Sequence, residues 1–386
     1  MTAQEAVAII GVGMVPFGRH APSYSGLAMG ADAARRALSD AGVAWSDVGY
    51  AVGGSKESGK PDSMVSSLGL TGVPFVSVRN GCATGGAALA TAANAIRAGE
   101  TDIALAVGFD KHPRGAFASK PEEYGFGDWY AQTGLMVTPQ YFGMKARRYL
   151  DVHALKDDLL AQLAAKSFAY GAANPDAWRR KVLSEQEILS SRVIDAPLTQ
   201  YMLCSPSEGA AAVVLARADR AADLCGRPVM LAAVTKRTRQ LGSFEVFSPW
   251  LSPCAGQASP SIDAAAAAFA RAGVTPSDVG VAQLQDTDAG AEIIHLAETG
   301  LCEHGEQQSL LDRGELGLNG RIPVNTDGGC LANGEPVGAS GLRQVHEVVL
   351  QLQGRAGDRQ VPGGPRVGLT HVYGTPGTSA CTVLTV

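Results

Sequence analysis

Ala37-Leu38-Ser39-Asp40-Ala41-Gly42-Val43-Ala44-Trp45-Ser46-Asp47-Val48-Gly49-Tyr50-Ala51 returns later in the chain as Ala268-Phe269-Ala270-Arg271-Ala272-Gly273-Val274-Thr275-Pro276-Ser277-Asp278-Val279-Gly280-Val281-Ala282. Nine of the fifteen positions are identical, at a constant offset of 231 residues. Each copy closes an Ala-rich amphipathic helix with Ala-Gly, where glycine accepts the left-handed cap. Each then sets Ser-Asp at a short turn and enters an apolar strand, Tyr50–Gly53 or Val281–Leu284. Self-similarity of this kind predicts two copies of one structural unit.

The similarity extends outward. The first copy continues through Val73–Val78, a Gly-bearing turn, an Ala-rich helix at about 83–98 and an apolar strand at Ile103–Val107. The second continues through Ile322–Val324, the turn Asn325-Thr326-Asp327-Gly328-Gly329, a helix at about 340–353, and strands at Val367–Leu369 and Ser379–Val386. Alternating helices and apolar strands predict two α/β halves with covered sheets. We place them at residues 1–225 and 226–386. An insertion at about 112–200 carries most of the aromatic and basic residues, including Trp129, Tyr130, Arg147 and Trp178, and Ser207–Leu215 closes the first half.

Composition narrows the function. The 386 residues are 46% hydrophobic and 18% charged with a net charge of −5, which excludes a disordered chain and argues against a nucleic-acid partner. No apolar run reaches the length of a membrane span, and the first residues lack a signal-peptide pattern, so a cytoplasmic location is expected. The seven cysteines (82, 204, 225, 254, 302, 330 and 381) form no Cys-x-x-Cys pair, which argues against zinc and disulfides. No metal is expected. Cys330 stands out among the last six because it follows Gly328-Gly329; the others read as core or surface residues.

Val76-Ser77-Val78-Arg79-Asn80-Gly81-Cys82-Ala83-Thr84-Gly85-Gly86 runs from a strand through a sharp turn into a helix. Near a helix N-terminus, unsatisfied amides and the dipole favour a thiolate, so a lowered Cys82 pKa is expected. Gly81, Gly85 and Gly86 are expected to leave room for a substrate carbonyl. The alternative is a buried cysteine acting as a small hydrophobe.

With Ile9-Ile10-Gly11-Val12-Gly13-Met14-Val15-Pro16-Phe17, Asn80-Gly81-Cys82-Ala83-Thr84-Gly85, Asn325-Thr326-Asp327-Gly328-Gly329 and Pro336-Val337-Gly338-Ala339-Ser340-Gly341 together, the chain resembles the thiolase superfamily. It looks most like the sterol-carrier-protein-type (lipid-transfer) thiolases and the thiolase-like aldolases. The resemblance spans essentially the whole chain. It implies a five-layered α-β-α-β-α fold from two βαβαβαββ halves with a loop domain, a homodimer, and an acyl-CoA substrate. Coenzyme A is then part of the substrate, and no separate cofactor is expected. Cys82 matches the family's acyl-accepting nucleophile.

The departures from that pattern are specific. The branch's His-Asp-Cys-Phe segment, with its second thiol, corresponds to Gln285-Asp286-Thr287-Asp288. The family's Gly-His-Pro histidine is replaced by Glu335. The last motif reads His371-Val372-Tyr373-Gly374-Thr375-Pro376-Gly377 and lacks a cysteine. Carbon–carbon chemistry on a thioester needs a nucleophile, a base and oxyanion donors. The candidates are Cys82 as nucleophile, His371 as base on its ordinary pKa, and Tyr373 as an acid on the same side of an extended strand. Glu335 is a second candidate base, because a carboxylate and a thiolate resist joint ionisation and one of them should be neutral. Gly374 and Gly377 are expected to offer amides to an oxyanion, and Asp286 and Thr287 are the substrate-facing candidates, although Asp286 and Asp288 read more readily as structural. The resulting expectation is an acyl-CoA C-acyltransferase working through acyl-Cys82. The alternatives are a retro-aldolase cleaving a β-hydroxyacyl-CoA, for which the resemblance implies a small OB-fold/zinc-ribbon partner, and a degenerate, non-enzymatic lipid or CoA-ester binder.

Overall fold

The computed structural model describes residues 6–245 and 258–386; Cys254 and the first five residues lie outside the described residues. Nine strands form one mixed sheet. They are β1 (Val7–Gly18), β2 (Tyr50–Gly54), β3 (Phe75–Val78), β4 (Ile103–Lys111), β5 (Glu208–Arg217), β6 (Val229–Thr238), β7 (Val281–Leu284), β8 (Val367–Gly374) and β9 (Thr378–Thr385). The helices that position the site are α1 (Gly26–Ala41), α2 (Thr84–Arg97), α3 (Thr138–Val152), α4 (Asp158–Ala173), α5 (Pro260–Ala272), α6 (Ala289–Glu298) and α7 (Ser340–Gln353).

The repeated segment folds alike in both places. α1 ends at Gly42 with φ 68°, and α5 ends at Gly273 with φ 68°. A single 3₁₀ turn follows each helix. In the first, Asp47 Oδ2 accepts from Ala44 N at 2.8 Å; in the second, Asp278 Oδ2 accepts from Thr275 N at 2.7 Å. The Ser-Asp pairs thus close these turns with their aspartates.

Strand order shows that the whole unit is duplicated. Along the sheet the order is β3-β2-β4-β5-β1-β6-β9-β8-β7. Counted within its own half, the first copy reads 3-2-4-5-1. The second reads 1-5-4-2, and a parallel bridge from Ala282 to Val324 supplies its third position. The senses agree as well: β2 is parallel to β3 and β4, β7 is parallel to β8, and the last strand of each copy is antiparallel to both neighbours. The copies join where their first strands meet, Ala8 opposite Met230 and Ile9 opposite Val229.

Three apolar clusters separate the layers. One packs α1 on the outer face of the first half through Ala33, Ala34, Ala37, Leu105 and Val214. A central one holds Leu89, Ala92 and Ile96 of α2 and Leu342, Val345 and Val349 of α7 between the two halves of the sheet. The third packs α5, α6 and the inserted α4 on the far face of the second half. The sequence is therefore α-β-α-β-α, as expected from the resemblance. Roughly 1.5–3 kcal/mol per buried Val, Leu or Ile makes these interfaces the main source of stability.

The two central helices start side by side. A Cβ on Gly85 would stand 2.7 Å from Leu342 N and 3.0 Å from Gly341 Cα. Only glycine permits that approach. It brings the turn before α2, which carries Cys82, against the turn before α7, which carries Glu335.

Candidate active site

The elbow is locked from within. Asn80 N donates to Thr84 Oγ1 at 2.8 Å, and Thr84 Oγ1 donates to Gly81 O at 2.6 Å. Gly81 has φ 57°. Cys82 sits just ahead of the first turn of α2 and is partly accessible. Gly374 lies against it, since a Cβ there would be 2.8 Å from Cys82 N and 2.5 Å from Ala83 N.

Glu335 is the hub of the site. It is fully buried. The Glu335 charge acts on the Cys82 thiol. Cys204 Sγ donates to Oε2 at 3.4 Å, and Gln285 Nε2 donates to Oε1 at 2.6 Å. Backbone pairing holds it in place: Glu335 N donates to Ser205 O at 2.9 Å. Burial pushes the Glu335 carboxyl above its ordinary value, although Cys82, Cys204 and Gln285 pull the other way. Burial, and then the Glu335 charge, push the Cys82 thiol well above its ordinary value, with Lys56 opposing. The expected lowering of Cys82 by the helix is thus overturned. Cys82 precedes the first turn, and burial, with the Glu335 charge added, outweighs the half-charge of a helix end.

Other expectations are corrected by the direction of β8. Val372 packs with Ala83 and Ala380, facing α2. His371 and Tyr373 do share a side, as expected, but it is the opposite one. Fully buried His371 bonds through Nε2 to Ser261 Oγ at 2.9 Å and lies tilted against His295, ring centres 4.3 Å apart. Burial, then His295, hold its pKa well below the ordinary value. Tyr373 donates to Glu245 and lies under Lys145 Nζ, 5.0 Å from the ring centre. These two side chains make their contacts with Ser261, His295, Glu245 and Lys145. Gly377 is displaced too. Its N–H is spent on Gly374 O at 2.9 Å, and it faces Arg239 and Glu245. Asp286 does not face substrate: it accepts from Cys330 N at 2.6 Å and Leu331 N at 3.2 Å, fixing the turn that leads to Glu335. Gly85 and Gly86 pack against Gly341, Leu342 and Ala380 rather than leaving room around the sulfur.

Thr287 lines a cleft of about 300 Å³ with Phe117, Thr138, Phe142, Cys204 and Ser205. The sequence marks Cys204 only as a core or surface residue. It enters the site because its N–H donates to Thr287 O at 2.9 Å, next to the 205–335 pairing. Cys330 is buried, with Sγ 3.8 Å from Arg343 Nη2, and its thiol is raised by burial and Asp286. Among the described residues, no cluster of His, Cys, Asp or Glu is arranged to hold a metal ion, and no helix is long and apolar enough to cross a membrane.

A strand–cysteine–helix elbow between two duplicated halves, with its partner carboxylate before the matching helix, defines a thiolase-type site. The chain belongs to the thiolase family: the family profile "Thiolase, N-terminal domain" matches residues 7–188, and "Thiolase C-terminal domain-like" matches residues 256–385. Sterol carrier protein 2 of Oryctolagus cuniculus is 33% identical over 98% of this chain and 71% of its own length. An acetyl-CoA acetyltransferase of Methanothermobacter thermautotrophicus is 32% identical over 97% of this chain and 98% of its own. The fold matches that of the Ltp2-ChsH2(DUF35) aldolase with a TM-score of 0.86 at 24% identity, covering 100% of this chain and 99% of that one.

Proposed function

We propose that the protein makes or cleaves a carbon–carbon bond next to a CoA thioester, with Cys82 as acyl-accepting nucleophile and Glu335 as its proton acceptor. The observation that carries this reading is the strand–cysteine–helix elbow, with the charge of fully buried Glu335 acting on the Cys82 thiol. The thiol proton passes to Glu335, the sulfur attacks the thioester carbonyl, and the departing CoA thiolate recovers the proton. A buried base next to the nucleophile performs this exchange without a histidine. Similarity to an acetyl-CoA acetyltransferase supports the reaction class. Incubation with acetyl-CoA is expected to add one acetyl group to the intact protein and none to Cys82→Ala. No adduct with acetyl-, propionyl- or octanoyl-CoA sinks the acyl-enzyme.

One observation favours a retro-aldolase as the second reading. Burial and the Glu335 charge raise the Cys82 thiol well above its ordinary value, which disfavours the thiolate that an acyl-enzyme needs. That enzyme releases a ketone or aldehyde from a β-hydroxyacyl-CoA without free CoA, and keeps its activity in Cys82→Ala. A homodimer, and under the second reading a small OB-fold/zinc-ribbon partner, belong to the proposal; sedimentation of the purified chain tests the dimer.

A further inference from the structure

The loop after β2 brings a lysine to the elbow. A Cβ on Gly54 would collide with Thr84, so the end of β2 lies directly on the residue that locks the turn at Cys82. Asp110 fixes the residues that follow. Its two carboxylate oxygens accept from Lys56 N at 3.1 and 3.0 Å, and Oδ1 accepts from Glu57 N at 3.0 Å. A lysine ammonium ordinarily reaches for water. The Lys56 side chain is instead 17% exposed, and its Nζ lies over Phe117, 5.3 Å from the ring centre. Phe117 lines the cleft of about 300 Å³, and at that range a ring face attracts a cation and orients it. Glu57 Oε1 pairs with the ammonium at 3.3 Å, while Oε2 stands 3.5 Å from His112 Nδ1. The Glu57 side chain is 45% exposed, so water screens its charge more than that of the covered ammonium. Around Cys82, Glu335 and Cys330 of the second half oppose ionisation of the thiol, and Lys56 of the first half favours it.

We propose that Lys56 is a charge-stabilising residue of the site, the cation that favours the thiolate form of the Cys82 sulfur over the thiol. This rests on the reading of Cys82 as the acyl-accepting nucleophile. Transfer of the Cys82 proton to Glu335 moves one negative charge from the carboxylate to the sulfur. Burial opposes a charge on that sulfur, and a positive charge fixed by Asp110 and Phe117 offsets the opposition without having to reorganise. Glu57 draws on the same ammonium and weakens its pull on the sulfur. The two members of the ion pair therefore act on Cys82 with opposite sign.

The rates at which Cys82 is alkylated by iodoacetamide and acylated by acetyl-CoA, read by peptide mass spectrometry at one pH, follow its thiolate fraction. Lys56→Met keeps the stem without the charge, Lys56→Arg keeps the charge, and Glu57→Gln removes the pairing carboxylate. Lys56→Met is expected to react at least about tenfold more slowly than the native protein, the equivalent of one unit of thiol pKa. Lys56→Arg is expected to restore the rate to within about threefold, and Glu57→Gln to match or exceed it. A structural role for the pair would slow Lys56→Met and Glu57→Gln alike, and that result overturns the proposal. If native Cys82 reacts and Lys56→Met reacts equally fast, the role of Lys56 falls alone. If native Cys82 is neither alkylated nor acylated, the nucleophile reading falls and takes this one with it.

Discussion

Gln285 Nε2 donates to Glu335 Oε1 at 2.6 Å, tying the carboxylate to the end of β7. A donor to an ionised carboxylate favours the ionised form. Gln285→Leu removes it, and the Glu335 pKa, already raised by burial, rises further. A base works only above its pKa, so the acidic limb of the kcat/KM profile is expected to move to higher pH. An unmoved limb means that Glu335 is not the titrating base.

His371 touches Ser261 and His295, not the elbow. His371→Gln is expected to hold kcat within about threefold while losing about 1–2 kcal/mol of stability with the Ser261 bond. Steady-state rates beside a denaturant midpoint check this. A 100-fold fall in kcat at unchanged stability would restore His371 as the base.

Asp110 fastens the two halves together. It accepts from Ser55 Oγ at 2.8 Å and Glu57 N at 3.0 Å in the first half, and from Gly338 N at 2.7 Å in the second. Burial opposes its ionisation, but His112 and the backbone donors outweigh it and bring the pKa down from 3.8 to about 2. A carboxyl depressed on folding contributes stability above its unfolded pKa, lost as pH falls from 3.8 through 2. Asp110→Asn is expected to cost about 2–4 kcal/mol at pH 7, with the gap to the parent closing in that acid window. Denaturant curves at pH 7 and 3 measure both, and a constant gap contradicts the assignment.

Asp288 caps α6, accepting from Ala291 N at 2.9 Å. Burial pushes it from 3.8 up to about 7, although Ala291 and Lys145 pull it down. A carboxyl raised on folding makes the folded state costlier as pH climbs from about 4 to 7. Asn retains the capping oxygen without the charge. Asp288→Asn is therefore expected to be about 1–3 kcal/mol more stable than the parent at pH 8, with no gain at pH 4. Thermal melts at the two pH values decide it, and a gain at both removes the titration argument.

The fold was legible because Ala-Gly-Val-x-x-Ser-Asp-Val-Gly is local chemistry, a cap, a turn and a strand, and it occurs twice. Cys82 was legible for the same reason: strand, turn and helix follow one another in the chain. Cys204 was not, because the contact that brings it to Glu335 joins residues 131 positions apart. His371 and Tyr373 show a different limit. Alternation along a strand places residues on a common side but does not say which side faces the nucleophile. Here the packing of Val372 on Ala83 decides it.

The seam between β1 and β6 leaves the protein without a spare part. Duplication ordinarily provides redundancy, one copy drifting while the other works. In this chain the first copy carries Cys82 before its central helix, and the second carries Glu335 before its own. Damage to either elbow has no backup, although the scaffold beneath was made twice.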